Sequence, residues 1–145
     1  MNEQGNSQAA AMWHSDRASS GLGMRLDEVT PGSARLSMTI TEAMANGHGI
    51  CHGGFIFSLA DSAMAFAANQ HGGVAVAQHA TISFIRPGHV GETLVAEAVE
   101  RMRAGRSGMY DVRVSTSGGD LVAEFRGHTR TLPGTRKTEN TNDGT

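Results

Sequence analysis

Apolar residues recur at helical spacing between Gly53 and Asn69, which is the strongest hydrophobic pattern in the chain. The segment is rich in alanine and contains no proline, so it predicts one long helix. At about 100° per residue, one broad apolar stripe consists of Phe55, Ile56, Leu59, Ala60, Ala63, Phe66 and Ala67. The opposite side carries Phe57, Met64, Ala65 and Ala68, with Asp61 set among them. A helix that is apolar on both sides is normally enclosed, so we expect both sides to be covered.

Strands are predicted on both sides of this helix. Before it, two strands flank Thr30-Pro31-Gly32-Ser33, a strong signal for a hairpin turn. After His71-Gly72-Gly73, four strands are predicted at 74–86, 92–103, 108–117 and 120–131, with glycine-containing turns between them. A short leading helix is expected within 8–18, with Trp13 as its anchor.

This order of elements predicts an α+β domain in which one curved antiparallel sheet wraps around one long central helix. The last four strands can pair as an antiparallel meander. We expect a single domain over residues 1–132, since 145 residues are enough for one core. The polar segment 133–145 is expected to be a disordered tail.

Composition narrows the class of protein. The 14 acidic and 12 basic residues leave a net charge of −2 and no basic face, so no nucleic-acid partner is expected. A single cysteine, Cys51, excludes an intramolecular disulfide and fits a reducing cytoplasm. The first twenty residues lack the features of a signal peptide, and the long helix is short for a membrane span and contains a charge. We therefore expect a cytoplasmic protein that does not bind membranes.

The candidate chemistry lies on the long helix. An enclosed carboxylate such as Asp61 is costly unless it has a partner or a catalytic role. At the start of the helix, after His52, Gly53 and Gly54 lie where unpaired backbone N–H groups point outward with the positive end of the helix dipole behind them. A carboxylate and an oxyanion-binding helix start make up much of a hydrolytic site.

The spacing of these groups predicts a dimer. Gly53 and Asp61 are eight residues apart, so they lie roughly 12 Å apart along the helix axis, and one small carbonyl cannot touch both. Two antiparallel copies of the helix, related by a two-fold axis, could bring Asp61 of one chain to Gly53 of the other. The motif therefore predicts a homodimer with two sites that are shared between the chains.

This element order, together with the segment Asn46-Gly47-His48-Gly49-Ile50-Cys51-His52-Gly53-Gly54 and Asp61, resembles the hotdog-fold acyl-CoA thioesterases. The branch it most resembles is that of phenylacetic acid degradation (PaaI-like). The resemblance covers residues 8–132 and includes Phe84-Ile85-Arg86-Pro87-Gly88 and Phe125-Arg126-Gly127. It implies the hotdog fold, an acyl-CoA substrate, no cofactor and no metal, and dimers that pair into tetramers.

The resemblance also implies roles for individual residues. Gly53 would offer its backbone N–H to the thioester oxygen, and Asp61 would act as a nucleophile or as a base toward water. Asn46 would help to orient the reacting groups, and His52 would flank the carbonyl. Some relatives use a hydroxyl residue on the strand after the helix; this sequence has no full match to it, and the candidates for that position are Gln78, Thr81 and Ser83.

Four further residues near this motif are expected to contact the substrate, namely Gly54, Phe57, Ser62 and Met64. Phe57 and Met64 lie a turn or less from Asp61 and would line a pocket that suits a flat aromatic ring. Together with the resemblance to the phenylacetic acid degradation branch, this pocket implies phenylacetyl-CoA or its ring-hydroxylated forms as substrates.

Simpler interpretations stay open for several of these residues. The glycine pair would permit a tight turn into the helix, His52 could bond to backbone only, and Asn46 precedes a glycine, which is common in turns. His48, Cys51 and His52 could suggest a metal site, but no second Cys/His cluster completes a tetrahedral set. The alternative functions are a non-catalytic acyl-CoA-binding protein of the same fold, and a dehydratase that uses His52 and Asp61.

Overall fold

The structure is a computed structural model that describes residues 3–134. Nearly all of the segment 133–145, predicted to be a disordered tail, lies outside the described residues. The helices are α1 (Glu3–Ser15), α2 (Arg17–Gly21) and α3 (Gly53–Ala68). The strands are β1 (Arg25–Thr30), β2 (Ser33–Thr39), β3 (Ala75–Phe84), β4 (Thr93–Ala104), β5 (Ser107–Thr116) and β6 (Leu121–Thr131).

The six strands form one antiparallel sheet in the order β1-β2-β4-β5-β6-β3, and α3 touches all six of them. The prediction of an α+β fold with the sheet wrapped around one long helix is therefore confirmed. The predicted hairpin is also confirmed, since Thr30 pairs with Ser33 across the turn. Gly32 adopts a φ of 84° there, which residues with a side chain rarely adopt.

The predicted meander is wrong for β3, which pairs with β6 at the far edge of the sheet instead of with β4. The reason is that α3 crosses the sheet between β2 and β3, so the chain returns to the sheet at its opposite edge. Asn69 holds this return, because its side-chain amide donates to the carbonyls of Ala65 and Ala75 (2.8 and 3.0 Å) and its oxygen accepts from the Ala75 N–H (2.8 Å).

The core lies between α3 and the concave side of the sheet. The predicted apolar stripe is confirmed: it is buried, apart from Phe55, which is partly buried. Trp13 anchors the leading helices as predicted, since its ring packs on Phe66 with the centroids 5.9 Å apart. No helix among residues 3–134 is both long and apolar enough to cross a membrane.

On the opposite side of α3 the chain itself buries Met64 and Ala68, in agreement with the expectation that both sides are covered. Met64 is 1% exposed because β6 curves over it, and the absence of a side chain at Gly127 makes room for its sulfur. What remains partly exposed in the single chain is a face of α3 that is flanked by Phe57 on one side and by Ser62 and Phe55 on the other. We call the middle of this face, which spans roughly 60° of the helix, the uncovered stripe. Its members are Gly54, Ser58, Asp61 and Ala65.

Gly127→Ala should destabilise the chain by about 1–3 kcal/mol, because the added methyl group would overlap the Met64 sulfur and come within 2.9 Å of the Phe125 ring. Urea unfolding measures the change. Gly118→Ala is the matched control, since the nearest atom to its new methyl group would be 3.8 Å away, and we expect it to be close to neutral. Equal stability of both variants would contradict tight packing between β6 and α3.

Candidate active site

The loop that leads into α3 is held by backbone hydrogen bonds. The N–H groups of Asn46, Cys51 and His52 donate to the carbonyls of Ile50, Gly88 and Met44, at 2.8, 2.8 and 2.9 Å. The loop is thereby tied to itself and to the segment after β3. The first residue of α3, Gly53, consequently begins the helix at a fixed place beside that segment.

Asn46 shapes this loop with its side chain. Its Oδ1 accepts from the backbone N–H groups of His48 (2.8 Å) and Ile50 (3.1 Å). This is the turn-forming use of asparagine that the sequence left open. A direct role of Asn46 in orienting reacting groups stays a prediction.

Gly53 is the first residue of α3, so its N–H has no partner within the helix. The ring of Phe84 lies over it, because a Cβ on residue 53 would come 2.7 Å from the Phe84 Cζ. Gly53 thus borders a mainly apolar groove of about 410 Å³, which is also lined by Ile50, Cys51, Ile56, Phe84, Ile85, Arg86 and Pro87. The groove places an apolar surface next to hydrogen-bond donors at a helix start, as ligand sites commonly do.

His52 occupies the N-cap position of α3, immediately before the first helical residue. Its backbone is extended, with φ −63° and ψ 139°, and its exposed side chain makes no capping hydrogen bond. The imidazole therefore lies on the surface next to Gly53, where a bound carbonyl could reach it. Its predicted role beside the carbonyl stays a prediction.

Asp61 lies on the uncovered stripe of α3 and is half-buried. Burial raises the pKa of its carboxyl group above the ordinary 3.8, and the nearby charge of Asp16 raises it further. A carboxylate with a raised pKa is a stronger base and holds its proton more tightly than an exposed one. Perturbed carboxyl groups of this kind are concentrated at functional sites.

The four predicted substrate-contacting residues do not form one cluster. Gly54 is exposed on the open stripe, and Phe57 is half-buried one turn before Asp61, with its ring edge-on to Phe125 at 5.3 Å. The Ser62 hydroxyl is hydrogen-bonded to Ser19 at 2.8 Å, on the side of α3 that faces α2. Met64 is buried in the core, so this placement does not support a contact with the acyl group.

Sequence reasoning missed Phe84 and Ile85 as site residues. They are 51% and 54% exposed and line the groove beside Gly53. The sequence signal that could have identified them is a pair of large apolar residues directly before Arg-Pro-Gly, at the end of a strand. The other candidates on this strand, Gln78, Thr81 and Ser83, are exposed.

Cys51 is buried, and burial raises the pKa of its thiol. The thiolate, which is the form in which cysteine acts as a nucleophile, is therefore disfavoured at this position. Among residues 3–134, no group of three or more His, Cys, Asp and Glu side chains is placed to hold a metal ion.

Comparison with protein families places residues 48–123 within the model of the thioesterase superfamily. The chain is 42% identical over 127 residues to acyl-coenzyme A thioesterase PaaI of Escherichia coli (strain K12), which covers 88% of this chain and 91% of that protein.

Solved structures agree with this similarity. The E. coli PaaI protein from the phenylacetic acid degradation operon superposes with a TM-score of 0.88 at 40% identity, covering 92% of this chain and 97% of that one. A mutant of the phenylacetic acid degradation protein PaaI from Thermus thermophilus superposes with a TM-score of 0.77 at 36% identity, covering 81% of this chain and 100% of that one. The expected hotdog fold is thereby confirmed.

Asp61→Asn should increase the free energy of unfolding at neutral pH. Burial raises the pKa of Asp61 in the folded chain, so ionisation opposes folding above that raised pKa. Below pH 3.8 the carboxyl group is protonated in both states and the opposition vanishes. Urea unfolding should therefore show a gain at neutral pH that disappears in acid. Asp27→Asn, at an exposed position, is the control, and a loss of stability on Asp61→Asn at neutral pH would contradict this account.

Proposed function

This chain belongs to the thioesterase superfamily and is an acyl-CoA thioesterase, and we propose that it hydrolyses arylacetyl-CoA thioesters at sites that two chains build together. The proposed products are coenzyme A and a free acid of the phenylacetic type. Family membership argues against the two alternatives, a non-catalytic acyl-CoA-binding protein and a dehydratase. An acyl-CoA substrate also fits the expected cytoplasmic location.

In the proposed reaction, the thioester carbonyl lies against the Gly53 N–H at the start of α3. The developing negative charge on the oxygen is stabilised there by the N–H and by the helix dipole. The groove beside Gly53 supports this placement, since its apolar lining would exclude water from one side of the carbonyl.

Asp61 is the proposed reacting carboxylate. As a nucleophile, its oxygen bonds to the carbonyl carbon, the carbon–sulfur bond breaks, the thiolate leaves, and water then hydrolyses the mixed anhydride. As a general base, it takes a proton from the water that attacks the same carbon. The raised pKa of Asp61 supports both routes, and a thiolate is a good enough leaving group to need little acid assistance in either.

The observation that carries the proposal is the uncovered stripe of α3, which holds Asp61 among residues no larger than serine. Gly54, Ser58 and Ala65 would let a second helix approach closely. Asp61 and Gly53 of one helix are roughly 12 Å apart along its axis, so an antiparallel second copy is the arrangement that brings them together. β3 supports the dimer as well, because it is a largely exposed edge strand whose Phe84 lies against Gly53. Pairing of such dimers into tetramers stays a prediction.

The preference for an aromatic acyl group rests on Phe57 and on the relatives. Phe57 lies one turn before Asp61, is only half-buried, and its ring stands edge-on against Phe125. It could offer its remaining face to a flat ring close to the carboxylate. The E. coli relative comes from the phenylacetic acid degradation operon, and the T. thermophilus relative is a phenylacetic acid degradation protein.

A mixture of two inactive variants tests the shared site. Asp61→Asn should lower kcat at least about a hundredfold by removing the reacting carboxylate. Gly53→Pro should lower it by a factor of about 10²–10³ by removing the N–H donor, and the extended backbone of His52 accepts a following proline. A heterodimer of the two variants contains one site with both defects and one with neither, so activity should return to about half that of the parent dimer.

Gly53→Ala is the control for the proline variant. It brings the same Cβ against the Phe84 ring but keeps the N–H, so it should retain far more activity than Gly53→Pro. Heterodimers that form, as shown by differently tagged chains, and yet stay inactive would contradict the shared site.

Phe57→Ala should reduce kcat/KM for phenylacetyl-CoA more than for acetyl-CoA, by about 1–3 kcal/mol of discrimination if the ring encloses the aromatic acyl group. Phe55→Ala is the matched control, because Phe55 is also a partly buried ring on α3 but lies away from the Asp61 stripe. Thiol release from both substrates measures the ratio. An equal effect of Phe57→Ala on both substrates would contradict the pocket, while leaving the role of Asp61 intact.

A further inference from the structure

Asp16 is linked through Ser19 of α2 to the turn of α3 that carries Asp61. Its Oδ1 accepts from the Ser19 N–H at 2.9 Å and its Oδ2 accepts from the Ser19 hydroxyl at 2.7 Å. The Ser19 Oγ lies 2.8 Å from the Ser62 Oγ. Because a carboxylate only accepts, Ser19 gives its proton to Asp16, and Ser62 must donate to Ser19. The three side chains form one directed chain that ends at the residue after Asp61.

A second contact holds Asp16 in place over α3. The Asp16 N–H donates to the Trp13 carbonyl at 3.1 Å, and the Trp13 ring packs on Phe66. Ser62 and Phe66 are four residues apart, so they lie one above the other on the same side of the helix. The segment that contains Asp16 is thus attached to α3 at two successive turns, and Asp16 lies between the attachments.

The hydrogen-bonded chain from Asp16 through Ser19 to Ser62 consists of buried and partly buried side chains. Ser19 is 2% exposed, and both of its hydroxyl bonds are made to partners that are themselves partly buried. In such surroundings a charge acts more strongly on its neighbours than it would in water. The charge of Asp16 accordingly adds to burial in raising the pKa of Asp61.

Few other charges face Asp61. α3 carries no second charged side chain, and Arg17 on α2 is exposed. His52 precedes Asp61 by nine residues, about 14 Å along the axis. At the far end of α3, His71 is bonded to Glu100 at 2.8 Å, and Glu100 also accepts from Tyr110. In the proposed dimer, His52 of the second chain would also come near Asp61, and this contribution is the same in every variant below.

We propose that Asp16 is a positioning residue for Asp61, acting through the Asp16–Ser19–Ser62 chain that fixes this turn of α3 and by the charge it places beside the reacting carboxylate. This inference rests on the proposed role of Asp61. Asp16 itself does not touch the substrate. The chain restrains the backbone of Asp61 through Ser62, and the negative charge keeps Asp61 more basic than burial alone does.

The pH dependence of kcat/KM separates these effects from a purely structural role. Asp16→Asn keeps an oxygen acceptor for the Ser19 N–H but removes the charge. The acidic limb of the pH profile should therefore move to lower pH, because ionised Asp61 is then less opposed. Asp27→Asn makes the same change of net charge at an exposed position and should leave the limb where it is.

Ser19→Ala tests the hydrogen-bonded chain without changing any charge, and it leaves the backbone bond to Asp16 available. It should lower kcat by about two- to tenfold, which corresponds to one hydrogen bond, with little change in KM and no shift of the acidic limb. This variant also keeps the inference testable if Asp16→Asn does not fold.

An acidic limb that stays in place in Asp16→Asn would overturn the inference, as would an unchanged kcat in Ser19→Ala accompanied only by a lower melting temperature. Asp61→Asn is measured in the same assay. If Asp61→Asn is inactive while the other variants behave like the parent, the inference fails alone. If Asp61→Asn retains activity, the proposed function fails and the inference fails with it.

Discussion

The geometry of the α-helix sets the separation of Gly53 and Asp61 at roughly 12 Å along α3, and the organisation of the proposed site depends on this constraint. A hydrogen-bond donor for the carbonyl oxygen and a carboxylate for the carbonyl carbon have to lie within a few ångströms of one another. One helix that contains both cannot meet this requirement. The uncovered stripe of small residues around Asp61 gives a physical reason for a second helix to supply the missing group.

The sheet covers most of the surface of α3 and leaves the stripe around Asp61 partly exposed. Six strands cover α3 on most sides, and Gly127 lets β6 approach closely enough to bury Met64. The one stripe left open carries a half-buried carboxylate whose ionisation opposes folding. Such a trade of stability for reactivity is common at active sites. The hydrogen bond between the buried Ser19 and the partly buried Ser62 ties the leading helices to the turn that contains Asp61.

Local patterns in the sequence were enough to predict α3, the hairpin and the six strands to within a few residues, because helical spacing and turn residues act over short distances. They did not reveal that β3 pairs with β6, since that pairing depends on where α3 returns the chain to the sheet. Helical spacing also put Met64 on the side of Asp61, although β6 covers it. The contact between Ser19 and Ser62 joins residues 43 positions apart, and no local pattern predicts it.

A crystal structure with a ketone analogue of phenylacetyl-CoA, in which a methylene group replaces the thioester sulfur, tests the central claim most directly. The account predicts that the ketone oxygen lies about 2.7–3.1 Å from the Gly53 nitrogen of one chain. It also predicts that the Asp61 carboxylate of the other chain lies within about 3–3.5 Å of the ketone carbon or of a water next to it. A ketone bound next to Gly53 and Asp61 of the same chain, or with no Asp61 near it, would contradict the account.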